Sequence, residues 1–319
     1  MKRITTLLIT FLWAITAIKA QQLPLFTQYR EYHAIVNPAN INSDYFVDEY
    51  RSSVGASVRL QWLNIERSPR TQILRGSYIS QNEGYFKLAT GGHLMNDQTG
   101  PTGMTGVYGR LAIIGNNRPQ QGGWSAGFNI GVTQFRLNSA TVRFNEPNIA
   151  NVETLRKIYP DVGVGIFGYI PISEKEGSDI IYGGLSVPQV FGLDLTVANE
   201  KGSYNFQRVP HYFATAGYYK FIGEQSFIEA STWVKYVKGS EVNVDINLRG
   251  QISEFIWLGV GYSTARFIHT EIGFLFGDNP RFKLGYGYDH SYSTIAPFFG
   301  AVHELNLSIL LGGKDKGFR

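Results

Sequence analysis

From Glu241 to Ile252 the chain reads EVNVDINLRGQI, and apolar residues alternate with polar ones. Val242, Val244, Ile246, Leu248 and Ile252 take one parity, and Asn243, Asp245, Asn247, Arg249 and Gln251 take the other. A period of two sends the two sets to opposite faces of a strand. One face is aliphatic; the other carries amides and charges of both signs. A soluble sheet with one wet face has the same pattern. Its repetition along most of the chain, behind an export signal, favours a membrane barrel instead. A wall in lipid must be apolar outside and polar inside, and it must close so that no backbone group stays unpaired.

Composition suits that reading. Charged residues make up 17%, aromatic residues 14%, and glycine occurs 36 times, a profile of many strands joined by tight turns. After the N-terminus no apolar run reaches the roughly 18 residues of a spanning helix. The formal charge of +4 is scattered, with no basic stripe that would point to nucleic acid. Without cysteine the chain has neither disulfides nor thiolate metal sites. Lys2 and Arg3 precede an apolar stretch from Ile4 to Ile18, and Ala20 precedes Gln21. That order reads as a signal peptide, residues 1–20, cleaved on export.

Residues 21–49 lack alternation and read as a periplasmic leader segment that folds against or into the barrel. Strands are expected at Val54–Trp62, Arg70–Ser80, Tyr85–Leu94, Gly103–Ile114, Trp124–Thr133, Val162–Ile170, Asp179–Val190, Tyr212–Phe221 and Phe227–Val237. The opening stretch is next, followed by Phe255–Ser263, Phe267–Phe276, Arg281–Tyr288 and Ala301–Leu311. The fold class is all-β: a transmembrane antiparallel barrel of about fourteen strands, the even number a single-chain bacterial barrel requires. The barrel occupies 50–312, a short basic tail occupies 313–319, and both termini are periplasmic. The long gaps Arg136–Asp161, Phe191–His211 and Asp289–Gly300 fall on odd-numbered connections, which then face outside. Trp62 and Trp124 are expected outward, near opposite membrane interfaces.

Arg59, Lys87, Arg110, Glu229, Lys235, Asp245, Arg249, Glu271, Lys283 and Glu304 all fall on the inner face. A selective pore would show rings of one sign. Mixed signs suit a cross-linked interior, filled by the leader or by loops, or simply a solvated one. Arg59 and Glu304 lie on the first and last strands, so an ion pair across the closing seam is expected. Reversing both charges together should restore stability that either reversal alone loses; a double reversal no better than the singles would mean that there is no pair. Gly163, Gly165 and Gly168 match a GxGxxG spacing but lie inside an expected strand with no helix after it. They read as small residues in a crowded wall. The six histidines show no metal-ligand spacing. No catalysis, cofactor or metal is expected.

Three stretches together resemble the PorP/SprF family. Leu23–Tyr29, containing Phe26, Gln28 and Tyr29, with Asn37-Pro38-Ala39, is similar to the family's N-terminal signature. Arg59, Gln61 and Trp62, then Pro69 and Thr71, resemble its first hairpin, and His303-Glu304 its closing motif. The resemblance implies an outer-membrane barrel of the type IX secretion system of Bacteroidota. Its implied partners are the translocon, ring and lipoprotein components, and a secreted surface adhesin recognised through a C-terminal type B domain, in gliding for example. It implies no nucleic-acid partner; outer-membrane lipid surrounds the protein. A porin-like channel for small solutes is the alternative. The external connections offer Phe144, Ile149, Tyr159, Phe191, Tyr204, Phe206, Phe298 and Phe299 as partner contacts, unless these pack the loops together. The leader motif reads as docking beneath the first and last strands, or as a contact for a ring or lipoprotein component.

Overall fold

The computed structural model describes residues 26–41, 43–46, 50–80, 84–115, 122–138, 155–173, 178–191, 193–199, 202–223, 226–278, 280–293 and 300–314. The expected signal peptide lies outside them. Among the described residues sixteen strands follow one another. They are β1 (Tyr50–Gln61), β2 (Arg70–Ile79), β3 (Phe86–Thr99), β4 (Thr102–Gly115), β5 (Gly123–Leu137), β6 (Leu155–Pro171), β7 (Ile180–Gln189) and β8 (Leu193–Asn199). Then come β9 (Gly202–Arg208), β10 (His211–Phe221), β11 (Phe227–Val237), β12 (Asn243–Ser253), β13 (Ile256–Ser263), β14 (Phe267–Phe276), β15 (Arg281–Ser291) and β16 (Val302–Lys314). Fourteen of them close into one antiparallel barrel, each pairing its sequence neighbour and β16 pairing β1. β8 and β9 form a separate hairpin within the connection from β7 to β10.

Alternation explains the wall. On β12, Ile246 and Leu248 are 59% and 50% exposed, whereas Asp245, Asn247, Arg249 and Gln251 are buried. The same outward apolar set recurs on β5 as Trp124, Phe128, Ile130 and Val132. These faces meet lipid, and closure of the sheet satisfies the backbone that lipid could not. Tyr50 pairs Lys314, so the wall begins and ends at one rim. The long connections 138–154, 190–210 and 292–301 all leave the opposite rim. In barrels of this type long connections face outside and short turns face the periplasm. That orients the molecule: Tyr50 is at the periplasmic rim, and the end of β1 is at the external rim.

The structure differs from the sequence reading in four places. β6 starts at Leu155 rather than Val162, so Tyr159 is a wall residue, 5% exposed, and not a loop aromatic. Its hydroxyl lies 3.3 Å from Met104 Sδ inside the barrel. Pro160 hid this strand; it sits beyond Val164, the last β6 residue paired with β7, where a missing N–H is tolerated. The β8–β9 hairpin occupies a stretch that reads as an irregular loop. Trp62 is not on the outer face of β1 but in the turn after it, half-buried, with a φ of 56° and its N–H on Ala301 O at 3.0 Å. Finally, the leader does not dock beneath the first and last strands; residues 26–41 fold into the barrel, the second of the two expected positions, and lie within the lumen.

Leu248 sits midway along β12 on the lipid face. Leu248→Arg is expected to lower folding free energy in a bilayer by about 2–4 kcal/mol, the cost of a cation near the midplane. Urea titration of the barrel folded into lipid vesicles measures this.

Candidate functional site

The lumen is filled by the leader, which carries a 3₁₀ turn at Tyr29–Tyr32 and two single-turn helices, α1 (His33–Val36) and α2 (Ser43–Phe46). It runs the height of the barrel. Phe26, Tyr29, Tyr32 and Val36 pack with Ile73, Met95, Met104, Phe213 and Trp233 in the external half. Phe26 stacks on Tyr32 with ring centres 4.3 Å apart, and Tyr29 on Trp233 at 5.3 Å. Ala39, Ile41 and Tyr45 pack with Ile79, Ile114, Tyr169, Tyr219 and Phe227 at the periplasmic rim. Between these two apolar layers lies an ionic one.

Arg30 and Glu31 make the ionic layer. Arg30 Nε lies 2.6 Å from Glu229 Oε2, and its Nη1 2.7 Å from Glu271 Oε1. Tyr182 donates to the other Glu229 oxygen at 2.5 Å. The Glu31 carboxylate faces Lys283 at 2.6 Å, and Arg249 and Arg75 at 3.5 Å each. Burial alone would raise the Glu31 pKa; the three cations overcome it and hold the pKa at about 2. Both leader charges are buried, and each is matched by opposite charges from separate strands. A charge left there with neither an opposite charge nor hydrogen bonds would be costly.

The seam between first and last strands anchors the other end. Arg59 and Glu304 are directly opposite in the β1–β16 register, with Arg59 Nη1 3.2 Å from Glu304 Oε2. Glu304 is fully buried. Its two oxygens also accept the backbone N–H groups of Thr27 and Gln28, at 2.9 and 3.0 Å. Arg59 donates to Thr27 Oγ1 and, at 2.8 Å, to Asp289 Oδ2. Asp289 in turn holds His269 Nδ1 at 2.8 Å. The expected pair therefore exists, but it belongs to a network. An arginine at 304 could not accept two backbone N–H groups, so a double charge reversal is not a clean test of it.

The Asn37-Pro38 turn is seated on the opposite wall. Asn37 Nδ2 donates to Ile166 O at 3.0 Å, and its Oδ1 accepts Ala39 N–H at 2.9 Å. Arg110 Nε donates to Pro38 O at 2.6 Å, and Ser186 Oγ to Val36 O at 2.7 Å. Glycine is required here. A Cβ at Gly165 would meet Asn37 Oδ1 at 2.0 Å, and one at Gly184 would meet Asn37 Nδ2 at 2.6 Å. Gly165 on β6 and Gly184 on β7 thus form a seat for the leader.

A model of the type IX secretion system membrane protein PorP/SprF matches residues 18–309. The chain belongs to the PorP/SprF family. Curated proteins yield no match. Several solved outer-membrane barrels share the fold. The Pseudomonas putida toluene transporter TodX has a TM-score of 0.52 at 7% identity, covering 92% of this chain and 98% of its own. A TodX deltaS2S3 mutant scores 0.57 at 9% identity over 88% and 94%. The Ralstonia pickettii toluene transporter TbuX scores 0.50 at 11% over 86% and 92%. At such identities the likeness is one of fold. An outer-membrane barrel of a secretion system is what family and fold together give.

In this PorP/SprF protein the motif residues Phe26, Gln28, Tyr29, Asn37, Pro38, Arg59 and Glu304 converge on the leader's anchorage. Gln61, Trp62 and Pro69 instead shape the first external turn, where Gln61 N–H donates to Pro69 O at 3.0 Å. Thr71, opposite Arg59 on β2, donates to Asp97 at 2.6 Å. His303 faces away from the lumen and meets Tyr286 OH at 2.7 Å. Sequence reasoning missed Thr27, Arg30, Glu31, Arg75 and Asp289. The available signal was Tyr29-Arg30-Glu31-Tyr32 itself, two charges set between aromatics. Of the candidate partner contacts, Phe191 is 48% exposed at the start of the β7–β10 connection. Tyr204 and Phe206 are on β9. Phe144, Ile149, Phe298 and Phe299 lie outside the described residues.

Two outcomes are expected. Glu304→Ala strands Arg59 and frees two leader N–H groups, and should cost about 3–5 kcal/mol; thermal unfolding, with limited proteolysis of the leader, measures it. The second concerns acid. A Glu31 pKa of about 2 lies below the ordinary 4.5, so its stabilisation is complete above about pH 4.5 and fades as pH falls toward 2. In planar bilayers the protein should be electrically silent at pH 7 and begin to conduct as the pH drops through that window. Glu31→Gln should already conduct at pH 7. Silence of the unaltered protein down to pH 2 would show that Glu31 does not hold the leader in place.

Proposed function

We propose that this protein holds the C-terminal signal domain of a secreted surface protein, such as an adhesin, at the external rim and supports its export and attachment. The filled lumen carries the reading. A barrel whose bore is occupied by its own leader, through apolar layers and paired charges, is poorly suited to passing solute. A cavity beside Arg30, Glu31 and Arg75 measures about 20 Å³, room for about one water. This weighs against the solute-channel reading, and likeness in fold to toluene transporters does not revive it. Work is then done at the rim and in company with the translocon, ring and lipoprotein components. The role is binding and assembly rather than catalysis.

The β8–β9 hairpin is the favoured contact. Tyr204 and Phe206 both belong to β9. Among the described residues no further strand pairs with this two-stranded sheet, so its edges can accept a strand from a partner. Phe191 flanks it. Phe144, Ile149, Phe298 and Phe299 complete the proposed set.

The test is capture of the tagged protein from native envelopes in mild detergent, with bound proteins identified by mass spectrometry. One large surface protein should be enriched through its C-terminal region, and shortening the hairpin by removing residues 193–208 should abolish that enrichment while the barrel remains folded. Recovery of the barrel alone, or with only itself, would overturn the proposal.

A further inference from the structure

Outward residues near the external ends of β2 to β6 form continuous cross-strand rows. In the outermost, Arg70 is opposite Gln98, Gln98 opposite Gly103, Gly103 opposite Arg136, and Arg136 opposite Arg156. The next row toward the membrane is Gln72, Asn96, Thr105, Gln134 and Ile158. The third is Leu74, Leu94, Val107, Val132 and Pro160. Basic, polar and apolar rows thus succeed one another at about 7 Å per step along the strands. The basic row lies just beyond the apolar band, at the level of the outer-leaflet headgroups.

Arg136 and Arg156 are directly opposed, and like charges in that position are mutually destabilising. Gly103, the other neighbour of Arg136, places no side chain between that arginine and Gln98. Arg67, from the first external turn, joins them around a cleft of about 390 Å³, also lined by Gln98, Thr102 and Asn138. Among the described residues no carboxylate lines this cleft. Glu66, 3.8 Å from Arg67, is 89% exposed, too solvated to neutralise three guanidinium groups. Arg136 Nη2 lies 3.4 Å from Asn96 Oδ1.

We propose that this cleft binds the phosphate groups of an outer-leaflet glycolipid. A guanidinium fork matches two phosphate oxygens, and an anion set between Arg136 and Arg156 turns their repulsion into attraction. The apolar rows below would lie along the acyl chains of the same lipid.

The experiment is a native mass-spectrometric titration of the purified full-length protein in detergent with bis-phosphorylated lipid A, dephosphorylated lipid A and inorganic phosphate as separate probes. The bis-phosphorylated lipid should bind, and the dephosphorylated lipid at least tenfold more weakly. Arg136→Gln with Arg156→Gln should lose at least tenfold in affinity, while Lys220→Gln, on the outer face at the other rim, should change nothing. Arg136→Lys, which keeps charge but loses the fork, should fall between. In lipid-free detergent the double variant should unfold at the same temperature or higher, because the like-charge contact is gone, which separates lost binding from lost folding. Equal binding of the dephosphorylated lipid, or unchanged affinity in the double variant, would overturn the proposal. So would displacement of the lipid by millimolar inorganic phosphate, which would mark a small-anion site.

Discussion

The interior of this barrel depends on the leader supplying partners to buried charge: carboxylates and cations to most of it, and the Pro38 and Asn40 carbonyls to Arg110. A wall of alternating residues sends half its side chains inward, and a lumen this narrow cannot keep them all in bulk water. Glu229, Glu271, Arg249 and Lys283 would each be costly alone in such a space. The leader supplies Arg30 to the two glutamates, and Glu31 to Lys283 and Arg249. Glu304 does the same for the backbone of Thr27 and Gln28 while holding Arg59. Wall and leader are therefore electrostatically incomplete without each other, and the apolar layers above and below keep water from competing for these contacts.

This arrangement separates the tasks of the molecule by depth. Lipid contact belongs to the outer face, closure to the lumen, and the proposed recognition to the external connections. The seat at Gly165 and Gly184 fixes the Asn37-Pro38 turn against one wall, and the Glu304 network fixes Thr27 and Gln28 against the other. Two attachments on opposite walls leave little freedom for the bore to open by rigid shifts of the leader. The external rim, by contrast, is free to vary without disturbing the interior.

Much of the wall was legible because a period of two is a local property. Asp245, Arg249 and Glu271 could be placed inward from their neighbours alone, and the pairing of Arg59 with Glu304 follows once the first and last strands are adjacent. What failed to show depended on distant partners. Tyr159 reads as a loop residue because Pro160 breaks the pattern, and its strand is tolerated only where β7 has already ended. The β8–β9 hairpin has strands too short for alternation to stand out. The leader has no period at all. Its place is dictated by charges scattered over β2, β11, β12, β14, β15 and β16, a set that only the closed barrel brings together.

That last point bears on how the protein is made. Thr27 and Gln28 bond to Glu304 across 277 and 276 residues of chain, from the leader to the final strand. Contacts of such separation form late, because the whole intervening chain must first be ordered. Glu304 also pairs across the seam that closes the barrel. Sealing the wall and seating the leader thus share one carboxylate, and neither is complete until the last strand arrives. A barrel stalled before that strand is at once unclosed and unplugged, a state that envelope quality control could distinguish from the finished protein.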